Sequence, residues 1–304
     1  MAAKEIEVTG SGQSRLFVTG STGELGRLVI GELLKRIPPG RIVAGVRSPD
    51  HEVAKQFVAQ GIEIRVADYA QPETLVKAFQ GIDRLLLISS SADDGRLAQH
   101  ENVINAAKAA KVGLLAYTSL LHADTSALGI SEDHRRTEAI LAASGVPHVL
   151  LRHGWYMENH VHLIPTALQH EVVLGCAGEG RFSTASRGDF AEAAAVVLTT
   201  EGQAGRIYEL AGDESYTLAD FAAAISAAAG RPVAYRDMPE ADYKRMLIDM
   251  KLPEVVAELI ADADTGASRG ELEDGAQQLS ALIGRPTAAW RQAVERASTA
   301  GDGQ

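Results

Sequence analysis

Along the first half of the chain, short apolar runs alternate with longer stretches whose apolar residues recur at helical spacing. The runs at 15–19, 41–46, 62–67, 84–89, 114–119 and 148–152 are rich in Val, Ile, Leu and Ala, which predicts strands buried on both faces. Between them, 25–36, 72–79, 96–111 and 133–144 carry the helical pattern. Pro38-Pro39-Gly40, and Gly145 followed by Pro147, supply helix-ending signals just ahead of strands. Strands and helices alternating in this way predict an α/β fold, a doubly wound parallel sheet of the Rossmann type.

The second half has a different texture. Residues 170–190 read as short extended pieces around a turn at 178–180, followed by a helix at 189–200 and a strand at 206–212. A helix over 217–230 has Thr217 as its N-cap and Gly230 as its stop. A short strand follows at 233–237, then one amphipathic helix over 241–261, and the tail 297–304 is expected to fray. There is no internal repeat. This half predicts a smaller C-terminal α+β substrate domain beside the carboxyl ends of the first-half strands, where open α/β sheets bind ligands.

Composition narrows the classes. The 304 residues are 46% hydrophobic and 23% charged, ordinary for a globular protein with a sizeable core. A net charge of −11 with no basic run opposes binding to nucleic acid or to an anionic membrane surface. Cys176 is the one cysteine, so no intrachain disulfide forms and a reducing compartment fits. No apolar run approaches the roughly 20 residues that span a bilayer. The start lacks the apolar core of a signal peptide, so 1–14 reads as a disordered extension and the expected location is cytoplasmic.

The candidate chemistry begins at "FVTGSTGELG", from Phe17 to Gly26, where a strand enters three glycines and then a helix. Gly20 permits the tight turn, Gly23 admits a pyrophosphate against bare backbone, and Gly26 lets the helix lie close to the sheet. The pyrophosphate then faces free amides and the positive end of a helix dipole. The next strand ends in Arg47, where an NAD site would place an acid; a guanidinium suits a 2′-phosphate, so NADPH is the expected cofactor, although a solvated surface arginine fits the same position. Asp68, after the third strand, either reaches the adenine amine or caps the following helix.

Strand-to-helix glycines of this spacing resemble the short-chain dehydrogenases and reductases, whose catalytic pair is Tyr-x-x-x-Lys. None of the seven tyrosines here has a lysine four positions on. Where the pair belongs, the chain reads "EDHRRTE": His134 and Glu138 share a helix face and form either a weak acid/base couple or part of an ordinary capped helix. A ketone or aldehyde that accepts hydride becomes a basic alkoxide and needs a positioned acid. A quinone becomes a ring-stabilised anion that water can protonate, and a cationic dye needs no proton. The missing pair therefore points to planar electrophiles of this second kind.

"FVTGSTGELG", "VAGVR", "ADYAQPETL", "KAFQGIDRLLLISSS", "QHENVINAAKAAKV", "AYTSLLHADTSALGISEDHRRTE" and "LLRHGWYMEN" together resemble the NmrA-like atypical short-chain dehydrogenases/reductases, from about residue 15 to about residue 290. The resemblance implies that the backbone of Gly20, Ser21, Thr22, Gly23, Glu24 and Leu25 holds the pyrophosphate and Arg47 the 2′-phosphate. It sets Ser89 and Ser90 beside the nicotinamide ribose, and Arg152 and Gly154 beside the nicotinamide. Trp155, Tyr156 and Asn159 then face a substrate, although Trp155 and Tyr156 could equally be core residues that join the two halves. Family members carry Asn where this chain has His153. Ser119 stands where ordinary members keep a catalytic serine.

The expected domains are an NADP-binding Rossmann domain at 15–153 and a substrate-binding cap at 154–304, with 183–213 returning to the first. The expected activity is NADPH-dependent hydride transfer to a small planar electrophile such as a quinone, without flavin or metal. Reduction of cationic triphenylmethane dyes and non-catalytic NADP(H) sensing are the alternatives. Proteins of this kind are often dimers, so a homodimer is admitted. His160-x-His162 lacks zinc-site spacing and company, and Cys176 has no neighbouring base.

Overall fold

The computed structural model describes residues 14–90 and 95–299. All but Ser14 of the extension expected at 1–14 lies outside the described residues, as does 300–304 of the tail expected to fray, while 297–299 of that tail are helical. The first half runs β1 (Leu16–Val18), α1 (Glu24–Leu34), β2 (Ile42–Val46), α2 (Glu52–Ala59), β3 (Glu63–Val66), α3 (Pro72–Ala78), β4 (Arg84–Leu87), α4 (Arg96–Ala109), β5 (Leu114–Leu120), α5 (Ser131–Ser144) and β6 (His148–His153). The second half continues with α6 (Met157–Val161), α7 (Ile164–His170), β7 (Val172–Gly175), β8 (Arg181–Phe182), α8 (Arg187–Thr199), β9 (Ile207–Leu210), β10 (Tyr216–Thr217), α9 (Leu218–Ala229), β11 (Ala234–Asp237), α10 (Glu240–Asp249), α11 (Glu254–Ser268), α12 (Gln278–Ile283) and α13 (Trp290–Thr299).

Seven strands make one parallel sheet in the order β3-β2-β1-β4-β5-β6-β9. Burial on both faces follows from the strand period of two. Leu16 and Val18 of β1 point into a core with Val29 and Leu33 of α1 and Phe190 of α8. Phe17, between them, points the other way and meets Phe79 edge-on at 5.0 Å, in a core with Val103 of α4 and Leu141 of α5. Strand order reverses between β1 and β4, which opens a crevice at their carboxyl ends.

The second half does not stay to one side. Helix α8 packs along α1 and returns the chain to the sheet, where β9 pairs with β6. Leu279 of α12 joins the same core. The remaining elements form a smaller lobe with two strand pairs, β8 with β10 and β7 with β11. Its core holds Tyr216 stacked on Trp290 at 4.2 Å, with Phe221 and Ile225 of α9. Thr217 caps α9 through a reciprocal pair with Asp220, and Gly230 ends it at φ 66°.

One expected element is two. The helix read over 241–261 breaks between Met250 and Pro253, where Lys251 takes φ 72° and Pro253 opens α11. Proline has no N–H to continue the first helix and disfavours helical backbone just before it. Helices α2, α6, α7, α12 and α13 fall where the pattern marks no element; all but the ten-residue α13 are at most eight residues long.

Candidate active site

Two cavities meet at the crevice. The first, of about 670 Å³, is floored by the glycine turn and the ends of β2 and β4. Gly20 sits at φ 56°, and a Cβ on Gly26 would lie 2.4 Å from the Gly20 carbonyl oxygen, so both positions require glycine. Gly20, Thr22, Gly23, Arg47, Asp68, Ser89 and Ser90 all border this cavity, as the sequence suggested. Gly45, His51, Tyr69 and Gln99 join them without having been singled out.

Arg47 is exposed and makes no hydrogen bond or ion pair among the described residues. His51, the N-cap of α2, accepts the Val53 N–H on Nδ1 at 3.2 Å, which places its proton on Nε2. Asp68 accepts the Ala70 N–H at 3.0 Å and the Gln71 side-chain amide at 2.9 Å, so its carboxylate braces the turn before α3 while lining the cavity. The cap of α3 is Gln71.

Three expected contacts take another form. Ser21 is fully buried, and both its N–H and its hydroxyl donate to the Gly45 carbonyl, at 3.2 and 2.8 Å. It ties the turn to β2 and has no donor left for a phosphate. Leu25 lies in the core beneath the turn, and the Glu24 side chain pairs with Arg187 at 3.1 Å. Their backbone amides belong to the first turn of α1, where N–H groups have no partner within the helix.

The second cavity, of about 410 Å³, shares Ile88 and Ser89 with the first. Ser119, His134, Gly154, Trp155, Tyr156 and Asn159 border it, together with His153 and Arg187 and with Leu259, Asp262 and Ala263 from α11. The loop after β4 that divides the cavities is held from behind. His100, fully buried, accepts the Ser90 N–H on Nε2 at 2.9 Å, and Thr118 Oγ1 accepts the Ser89 N–H at 2.8 Å.

The histidines and tyrosines around the second cavity are held neutral, beside the Arg187 guanidinium in the same wall. Burial pushes His134 and His153 each down to about 3, with Arg96 a lesser influence on His134. Burial also raises Tyr117 well above the usual phenol range and pushes Tyr156 up to about 12. Neither tyrosine has the lysine that would activate it. His134 does not pair with Glu138: its Nδ1 meets the Tyr117 hydroxyl at 2.8 Å, while Glu138 accepts from Ser119 Oγ at 2.6 Å and from Arg152. The acid/base couple read from their spacing is therefore absent.

Arg152 lines neither cavity, contrary to the expectation of a cofactor contact. Its guanidinium is enclosed by Glu138 at 2.7 Å, Glu209 at 2.7 Å and Asp124 at 3.1 Å. That cluster cross-links β6, α5 and β9, so the charge serves the scaffold.

Five buried side-chain polar atoms among the described residues lack a hydrogen bond, and three of them belong to this cavity's wall: His153 Nε2, Trp155 Nε1 and Arg187 Nη1. The Arg187 guanidinium lies over the Tyr156 ring at 4.5 Å and donates to Asn159 Oδ1 at 3.2 Å. Its Nη1 is 3.4 Å from Glu158, within ion-pair range but not aligned for a hydrogen bond. Buried polar atoms without partners are rare in native proteins, and three of these five belong to residues of one cavity wall. Sequence reading missed Arg187 because the first residue of a distant helix gives no local sign of where it points.

A crevice at the strand-order switch, a glycine turn under a helix N-terminus and an adjoining aromatic cavity together describe a dinucleotide site. Residues 20–201 match the family model described as NAD(P)H-binding, more than half of the chain, and the protein belongs to that family. Among known proteins it is similar to quinone oxidoreductase 2 of Escherichia coli (strain K12), at 48% identity over 277 residues, 91% of this chain and 96% of that one. The crystal structure of an NADPH-dependent quinone oxidoreductase from Escherichia coli, complexed with NADPH, matches with a TM-score of 0.90 at 48% identity over 92% of this chain and 99% of that one. The triphenylmethane reductase of Citrobacter sp., complexed with NADP(H), matches with a TM-score of 0.88 at 34% identity over 93% of this chain and 99% of that one. No helix among the described residues is long and apolar enough to cross a membrane.

Proposed function

We propose that this protein is an NADPH-dependent quinone reductase that passes hydride directly to a planar acceptor, without flavin. The observation that carries this reading is the junction of the two cavities at Ile88 and Ser89. A dinucleotide held over the glycine turn would reach that junction, beyond which the second cavity has room for a second flat ring.

The residues present fit the cofactor. The amides of the first turn of α1 suit a pyrophosphate, and the uncommitted Arg47 guanidinium with His51 suits a 2′-phosphate. Bound NADPH supplies the hydride; everything else falls to the chain. Trp155 and Tyr156 border the cavity with aromatic rings, and the Trp155 indole N–H, which has no hydrogen-bond partner among the described residues, matches a quinone, whose two oxygens only accept. Holding two rings against each other in one cleft removes much of the entropic barrier. No wall residue is an activated acid, and the reduced quinone needs none, because its charge is delocalised and water can protonate it.

The direct test follows nicotinamide absorbance with NADPH and, separately, a benzoquinone, a triphenylmethane dye and an aldehyde. Quinone turnover above the uncatalysed rate, with none for the aldehyde, is expected. Tight NADPH binding without turnover of any acceptor would instead identify a redox sensor, and turnover of the aldehyde alone would refute the argument from the missing acid.

A further inference from the structure

The face of α11 that closes the second cavity does not end at the cavity. Leu259, Asp262 and Ala263 border it, and one turn nearer the start of the helix the same side carries Val255 and Val256. These apolar residues are open to solvent: Leu259 is 37% exposed, Val256 41% and Val255 46%. The opposite side of the helix, Ala257 and Ala261, is buried against Tyr243 and Leu247 of α10. An amphipathic helix with one buried face ordinarily turns polar residues outward; this one keeps an apolar stripe outside, running on from the residues that border the cavity.

The charges beside the stripe are engaged elsewhere. Glu254 and Glu258 reach Lys244, and Asp262 accepts the Gly129 N–H at 2.8 Å. A protein partner buries roughly 20–30 residues on each side, far more than these three side chains provide even with the exposed Ile248 and Met250 at the end of α10. The occupant is therefore narrow, apolar and continuous with whatever fills the cavity.

We propose that the Leu259–Val256–Val255 stripe is a subsite for an aliphatic chain, alkyl or prenyl, attached to the acceptor ring. This rests on the quinone reading and adds the class of quinone: one with an apolar tail. From Leu259 to Val255 the helix rises about 6 Å, room for several methylenes to lie along it.

The test compares kcat/KM for one benzoquinone ring with and without a pentyl chain, in the wild type, in Val255→Glu/Val256→Glu, and in Val58→Glu, an exposed apolar position far along the chain. Since full burial of one methylene is worth about fourfold, partial cover along the stripe should raise kcat/KM of the pentyl compound about tenfold, through KM. That ratio should fall close to one in the double variant and persist in Val58→Glu. Equal values for the two quinones in the wild type, or a gain that survives the double substitution, overturns the subsite alone. Failure to reduce even the chainless ring overturns the quinone reading, and the subsite with it. A dimer in sedimentation that the double variant splits would assign the stripe to a second copy and overturn it as well.

Discussion

At the scale of single residues, the site is defined by which polar groups are already committed. Arg47 is not, so its removal should fall on one cofactor only. Arg47→Ala is expected to weaken NADPH about 10- to 100-fold, the range for hydrogen bonds to a charged group, and to leave NADH nearly unchanged. Titration of nicotinamide fluorescence reads both, and equal weakening would contradict the 2′-phosphate contact. Arg152, seemingly a similar arginine beside a glycine and an aromatic pair, is enclosed by three carboxylates. Nothing in "LLRHGWY" separates the two cases, because the partners come from α5, β9 and the loop after β5. The histidines and the tyrosine of the second cavity's wall have their own signature. With His134 and His153 at about 3 and Tyr156 at about 12, none of them changes charge in the working range. Quinone kcat/KM should therefore be flat between about pH 5 and about pH 9; a bell-shaped profile would reveal an acid or base in use.

At the scale of elements, local signals succeeded where the cause of an element is itself local. Thr217, Asp220 and Gly230 specify both ends of α9 by capping chemistry, and the structure shows that reciprocal cap. Thr217→Ala should cost about 1 kcal/mol in urea unfolding; no change would mean that tertiary packing alone fixes that end. The inner strands were legible too, since burial on both faces leaves near-continuous apolar runs; β3 was marked as well, although as an edge strand its residues are exposed or half-buried. Beyond the helices the pattern left unmarked, two features were not. The break between α10 and α11 lay under a persistent amphipathic pattern that hid the weight of Pro253. The contribution of α11 to the site was invisible for a different reason: Leu259, Asp262 and Ala263 reach the cavity only because the smaller lobe folds over the ends of the sheet strands. His100 lies between these cases. It occupies an apolar position of α4 and holds the Ser90 backbone, so a lone histidine among Val103, Ile104 and Ala107 was the available clue.

At the scale of the whole molecule, burial of neutral histidines couples folding to pH. His134, His153 and His160 are each lowered to about 3 and His100 to about 4, all chiefly by burial. Below about pH 6.5 the unfolded chain binds protons at these positions while the native protein does not. The stability they contribute is complete above that pH and is lost as pH falls toward 4. Asp264 acts in the opposite sense: burial raises it to about 7, so its contribution is lost as pH rises through that value, and one carboxyl offsets only part of four imidazoles. Each unmatched proton steepens the loss by about 1.4 kcal/mol per pH unit. Thermal unfolding should accordingly move to clearly lower temperature from pH 7 to pH 5, and a constant midpoint would mean that these histidines are not neutral in the fold. The same dry interior bears on the chemistry, because it leaves the second cavity with donors and flat surfaces but no group poised to give up a proton. Single-turnover oxidation of NADPH by a benzoquinone in H2O and in D2O tests this most directly. Equal rates are expected if hydride moves alone and water completes the reduction afterwards, whereas a markedly slower reaction in D2O would show a proton in flight with the hydride.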